Sequence, residues 1–159
     1  MPFTLSSPAF QNTESLPVQF TGDGAEASPP LEWRDAPSET KAFALVVDDP
    51  DAPDPAAPRR TFVHWVVADI PATITSLTEG ASRHDMPEGS HEGKNDADGI
   101  GYTGPHPPKG RHRYFFKLYA LDAPVGLREG LTKAQLLNAI EDHVLDTAEL
   151  MGTYARDRE

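Results

Sequence analysis

Apolar positions fall in short runs rich in β-branched and aromatic residues, at Leu16–Phe20, Phe43–Val47, Phe62–Val67 and Tyr114–Leu121, each closed by Pro, Gly or Asp. Runs of this length and composition predict strands. In YFFKLYAL, residues 114–121, a period of two sets Tyr114, Phe116 and Leu118 on one face and Phe115, Lys117 and Tyr119 on the other. Both faces are largely apolar, which predicts a central strand covered on two sides. One segment repeats at helical spacing. Thr132 opens TKAQ, a capping-box pattern with Gln135 at the third helical position, and Leu136, Leu137, Ile140, Val144 and Leu145 follow on one stripe. This predicts a helix over about residues 133–145.

Between the strands lie long proline-dense connections, Asp23–Trp33, Asp48–Arg60 and Ile70–Gly110. Ordered loops of that length in a small domain tend to bind something. Many strands, one late helix and no alternating βαβ rhythm predict a mainly β fold, an antiparallel sandwich with a helix near the C-terminus. They argue against a doubly wound nucleotide fold. The chain has 159 residues and no internal repeat, so one domain over 1–159 is expected.

Composition narrows the chemistry. Cysteine is absent, which excludes disulfides, thiol nucleophiles, iron–sulfur clusters and cysteine-ligated zinc. Fourteen Lys+Arg against 25 Asp+Glu give a net charge of −11, which opposes nucleic acid and anionic lipid surfaces. RHR at Arg111–Arg113, beside Lys109, is too short for a nucleic-acid footprint. Neither nucleic acid nor stable membrane association is expected. Asp (14) exceeds Glu (11) and Arg (9) exceeds Lys (5), a balance suited to solubility in strong salt. MPFTLSSPAF lacks a basic start and a continuous apolar core, and no apolar run approaches a membrane span, so a cytoplasmic protein is expected.

Three clusters could carry chemistry. In VVDDPDAPDP, residues 46–55, an apolar strand ends in aspartates held between prolines. Rigid backbone would aim those carboxylates, although Asp and Pro also serve plain turns. His64 interrupts the apolar strand FVHWVV, on the face of Phe62 and Val66 by a period of two. A buried imidazole needs a partner, and the simplest is a backbone carbonyl. His112 precedes a strand in GRHRYFF, with Tyr114 two residues on; a strand-edge surface position is the simpler reading. GIGYTGPHPPKG, residues 99–110, mixes glycines open to close approach with Pro105, Pro107 and Pro108. It contains neither GxxxxGK[ST] nor GxGxxG, so no nucleotide loop is predicted. His84, His91, His106 and His112 show no HxH or HExxH spacing, and Ser6, Ser7 and Ser28 lie in no GxSxG. No metal, no cofactor and no catalytic nucleophile is expected.

In order, SPPLEW (28–33), DDPDAP (48–53), FVHWVVADIP (62–71), GYTGPHPPKGRHRYFFKLYALD (101–122) and GTYAR (152–156) resemble the phosphatidylethanolamine-binding protein family, especially its bacterial and archaeal Raf kinase inhibitor-like branch. The resemblance implies a Greek-key β-sandwich with a small anion pocket for phosphate-like groups at one end. It places that pocket at Asp49, Pro53, His64, Pro108, His112 and Tyr114, with Gly104 as a backbone N–H donor. Asp51 supports the loop, and Phe62 replaces the aromatic that precedes the pocket histidine in eukaryotic relatives. His106 fills a position where many bacterial relatives carry cysteine. The sequence ends just after GTYAR, so the eukaryotic C-terminal helix, and Raf regulation with it, is not expected.

The expected function is non-catalytic binding of phosphate or a phosphorylated small molecule or peptide. His64 and His112 would donate to the anion, Asp49 would orient one imidazole, and the Tyr114 hydroxyl and a loop N–H would complete the shell. Affinity should then weaken as pH rises. The alternatives are a protein-interaction regulator, such as a kinase or serine-protease inhibitor, and a hydrolase or lyase using the His/Asp pair. A homodimer or another protein partner is compatible with the family.

Overall fold

The structure, a computed structural model, describes residues 2–156; Met1 and residues 157–159 of the expected 1–159 domain lie outside the described residues. Eight segments of the described residues are extended: β1 Thr4–Ser6, β2 Leu31–Arg34, β3 Ala42–Ala52, β4 Arg60–Pro71, β5 Ser76–Leu77, β6 His91–Glu92, β7 His112–Leu121 and β8 Val144–Tyr154, with the helix α1, Lys133–Ile140, before the last strand. A five-stranded sheet runs β6-β4-β3-β7-β8 and a three-stranded sheet runs β1-β2-β5. Every named pairing is antiparallel. The fold is therefore mainly β, two antiparallel sheets with one α-helix among the described residues.

Alternation along β3 explains how the large sheet is buried on both faces. Phe43, Leu45 and Val47 join Trp65, Tyr114, Phe116 and Leu150 in a core facing the small sheet, where Leu31 and Trp33 meet them. Ala44 and Val46 face the other way, toward Leu136 and Ile140 of α1. Small side chains there let the helix approach. Fully burying each large apolar side chain contributes about 1.5–3 kcal/mol. Tyr114, Phe116 and Leu118 share the first core as the two-sided reading requires, while the opposite face of β7 is only half-buried.

Three sequence expectations change. Leu16–Phe20 is not a strand: Val18–Phe20 forms a 3₁₀ turn after Pro17, with Phe20 N–H donating to the Pro17 carbonyl at 3.1 Å. Leu16 and Phe20 are buried from a turn, so the apolar run was a loop anchor. Helix α1 begins as expected, with reciprocal 3.0 Å bonds between Thr132 and Gln135, but stops at Ile140. Val144 and Leu145 belong to β8, where pairing with β7 overrides the helical stripe. Strand β8 was missed altogether. Its inward positions include the small residues Ala148 and Gly152, which weaken the alternating signal.

Candidate functional site

Strand β3 runs beyond its apolar half into DDPDA, and the aspartates are buried, not solubilising turn residues. Asp48 faces the helix side and pairs with Lys133 at 2.8 Å and Lys117 at 3.4 Å. Asp49, 3% exposed, faces the opposite side and accepts the Asp51 N–H at 2.7 Å. Asp51 grips Arg113 three times, through the backbone N–H at 2.9 Å, Nε at 3.0 Å and Nη2 at 2.9 Å. That bidentate pairing holds the Asp51 carboxyl below its ordinary value. The following Ala52–Pro53 peptide is cis.

A bulge aims His64. Val47 pairs with Trp65 while Asp48 pairs with Val63, so β4 carries one extra residue at His64. Val63 and Val66 consequently share the helix-side core, and His64 turns with Phe62 to the other face. The expected alignment of His64 with Val66 is thus corrected. The ring lies 4.8 Å from Phe62 and 5.2 Å, edge-on, from Tyr114. Its Nδ1 donates to the Thr103 carbonyl at 2.7 Å, and Thr103 N–H returns a bond to the His64 carbonyl at 2.9 Å. The backbone-carbonyl partner anticipated for a buried histidine is therefore present. Burial pushes the His64 imidazole down to about 4, against the opposing pull of the Thr103 bond.

His112, 1% exposed, is no surface residue. Its Nδ1 meets Asp49 Oδ2 at 2.6 Å, and its Nε2 faces the carbonyls of Lys109 at 2.9 Å and Pro53 at 3.1 Å. Two carbonyl acceptors require a proton on Nε2. The Nδ1 contact then needs another, carried by imidazolium or by the Asp49 carboxyl, which burial raises above its ordinary value. Asp49 does orient an imidazole. The expectation that His112 also donates to an anion is corrected, because both of its nitrogens are taken.

These groups meet at a cavity of about 530 Å³. Asp49, Pro53, His64, Gly104, Pro108, His112 and Tyr114 all line it, together with Phe62; Asp51 does not, and acts through Arg113. Burial raises the Tyr114 hydroxyl well above its ordinary range, so it stays protonated. His106 lies on the wall with Nε2 3.8 Å from Asp23. Two charged lining residues escaped sequence reasoning. Arg60 stands at the mouth, 3.2 Å from Asp96 and 5.1 Å from the Phe62 ring centroid. Its place two residues before Phe62 was the available signal. Glu26 reaches in from the first long connection, with Oε2 accepting the Gly104 N–H at 2.8 Å. No local pattern announced it, since the contact spans 78 residues. Among the described residues no group of His, Asp and Glu suits a metal ion, and no helix is long and apolar enough to cross a membrane.

The chain is similar to known proteins along nearly its whole length. The family model of phosphatidylethanolamine-binding protein matches residues 6–155. A UPF0098 protein of Methanothermobacter thermautotrophicus is 45% identical over 155 residues, covering 96% of this chain and 98% of that protein. The crystal structure of a phosphatidylethanolamine-binding protein homologue from Chlamydia trachomatis superposes with a TM-score of 0.88 at 40% identity, covering 98% of each chain. E. coli YbcL superposes at 0.87 with 33% identity, covering 97% of this chain and 98% of that one. A family-model match over residues 6–155, nearly the whole sequence, places this chain in the phosphatidylethanolamine-binding protein family.

Proposed function

We propose that this protein is a non-catalytic binding protein whose cavity takes a small phosphorylated ligand. Family membership supports the binding role. The observation that carries the anion reading is the polar lining left over inside an otherwise apolar cavity. Among the described residues, His64 Nε2 and the Tyr114 hydroxyl have no protein partner, and both side chains line the space that Pro53, Phe62 and Pro108 wall. The Thr103 hydroxyl reaches a carboxylate, Glu26 Oε2, only at 3.3 Å, and that oxygen is already held by the Gly104 N–H, while the imidazole of the His112–Asp49 pair is spent on backbone carbonyls. The volume exceeds what inorganic phosphate needs, so an organic phosphate with an apolar portion fits better than the bare ion.

Because Nδ1 holds its proton for Thr103, His64 can donate from Nε2 only as imidazolium. Anion binding therefore takes up a proton, and affinity falls as pH rises. Isothermal titration with inorganic phosphate and phenyl phosphate tests the reading. Phenyl phosphate should bind more tightly, His64→Gln should weaken both ligands by about tenfold or more, and wild-type affinity should drop between about pH 5.5 and about pH 8.5. Absence of saturable binding to the wild type, or affinity that is flat across that range, defeats it.

A further inference from the structure

Glu26 is the exception in the charge pairing around the cavity. Asp49 meets His112, Asp96 meets Arg60, Asp54 meets Lys109 at 3.7 Å, and Asp23 meets Arg156 at 3.3 Å and His106. Glu26 has no cationic partner among the described residues. Its Oε2 is held by two neutral donors, the Gly104 N–H at 2.8 Å and the Thr103 hydroxyl at 3.3 Å. The residue is otherwise exposed and sits at φ 61°, a left-handed backbone that is costly for any side chain other than Gly, Asn or Asp. Its loop is tied to the cavity wall by Gly22 N–H donating to the Pro105 carbonyl at 2.7 Å.

The donor that Glu26 occupies is central to the site. Gly104 N–H and the Thr103 carbonyl belong to one peptide unit. That unit gives its N–H to Glu26 and its oxygen to His64 Nδ1. A Cβ on Gly104 would stand 2.8 Å from Glu26 Cγ and 2.8 Å from the Phe20 carbonyl oxygen, so glycine is what admits the approach. Gly104 lines the same cavity as His64 and Tyr114, and a carboxylate on its N–H makes the contact that a ligand oxyanion in that cavity would make.

We propose that Glu26 is a tethered competitor: its carboxylate occupies the Gly104 N–H that an incoming oxyanion needs, and the side chain must swing out to solvent for the anion to bind. The inference rests on the phosphate-binding reading above. Glu26 thereby sets how much negative charge the cavity admits, and it penalises every anion without touching the bound one. Because a ligand oxygen replaces the carboxylate one for one, the peptide stays hydrogen-bonded at both ends and His64 keeps its orientation throughout the exchange.

The test is a titration of wild type, Glu26→Gln and Glu26→Ala with inorganic phosphate, methyl phosphate and phosphoethanolamine, followed by calorimetry and by the Gly104 amide resonance. Gln keeps the shape and an acceptor oxygen but removes the charge; Ala frees the donor. Both variants should bind phosphate about tenfold more tightly than wild type, and Glu26→Ala alone should shift the Gly104 resonance before any ligand is added. Equal affinities in all three proteins, with His64→Gln still weakened, overturn the competitor role and leave the phosphate reading standing. No binding by any of the three defeats both. If Glu26→Gln weakens phosphoethanolamine but not methyl phosphate, Glu26 is a contact for the ligand's ammonium group, and the proposal is wrong.

Discussion

Replacing His64 with glutamine should flatten the acid sensitivity of folding. The imidazole is 4% exposed, packed between Phe62 and Tyr114, and committed through Nδ1 to a carbonyl. In the unfolded chain it takes a proton near 6.5, whereas burial in the folded protein delays protonation to about 4. Between those values the unfolded state holds more protons, so stability falls as pH falls. At about 1.4 kcal/mol for each pH unit, the interval amounts to about 3 kcal/mol, a sizeable fraction of the 5–15 kcal/mol typical of a domain. Urea unfolding of wild type and His64→Gln from about pH 7.5 down to about pH 4.5 isolates this contribution, since the rest of the sequence is common to both proteins and cancels in the difference. Glutamine costs some stability at neutral pH through altered packing. The stability gap between the two proteins should then narrow by about 2–3 kcal/mol on acidification. Parallel stability curves would show that the ring is not held neutral by burial, and the account of the site given above would fail with them.

Three further outcomes follow from packing and charge. A methyl group on Gly152 would lie 2.6 Å from Leu16 Cδ2 and 3.1 Å from Phe10 Cε2, so Gly152→Ala should lower the urea midpoint by an amount equivalent to about 1–3 kcal/mol. Buried Glu92 accepts from Trp65 Nε1 at 2.7 Å, Ser82 Oγ at 2.6 Å and Arg83 N–H at 2.7 Å. Glu92→Leu strands three donors and should cost about 3 kcal/mol or more, with a changed Trp65 emission reporting the lost indole bond. With a net charge of −11, the unfolding midpoint should rise from low salt to molar KCl as self-repulsion is screened; an unchanged or lower midpoint removes the high-salt reading of the composition.

What the sequence conveyed depended on the range of the interaction. Strands β3, β4 and β7 were legible because each buries a continuous apolar run, and the Thr132–Gln135 cap was legible because it closes within four residues. Strand β8 and the end of α1 were not, since Val144 and Leu145 satisfy a helical stripe locally and are drawn into extended structure only by β7. The same division holds at the cavity. The family resemblance pointed to Asp49, His64, His112 and Tyr114 together, whereas local context alone marked only the aspartate run of residues 46–55 and His64 within its apolar strand, and read His112 as a strand-edge residue. The bulge that turns His64 away from Val66 depends on register between two strands, and the two carbonyls that occupy His112 Nε2 come from loops, one of them 59 residues away.

Net charge and site charge then act at different distances. A chain at −11 repels anions at long range, but beyond a Debye length of about 8 Å at physiological salt that field is largely screened. Inside that distance most carboxylates near the cavity are already paired, Asp49 with His112, Asp96 with Arg60 and Asp23 with Arg156. Beside the unpartnered Tyr114 hydroxyl, a proposed anion would therefore meet two groups whose charge must change, the neutral imidazole of His64 and the uncompensated carboxylate of Glu26. Both hang on one peptide, His64 on the Thr103 oxygen and Glu26 on the Gly104 N–H. Gaining a proton at the first and expelling the charge of the second favour the same ligand, an oxyanion that arrives with its proton. On the proposed function, affinity in this cavity would be governed by proton uptake and carboxylate displacement at a single peptide unit, with the acidic surface bearing on approach more than on grip.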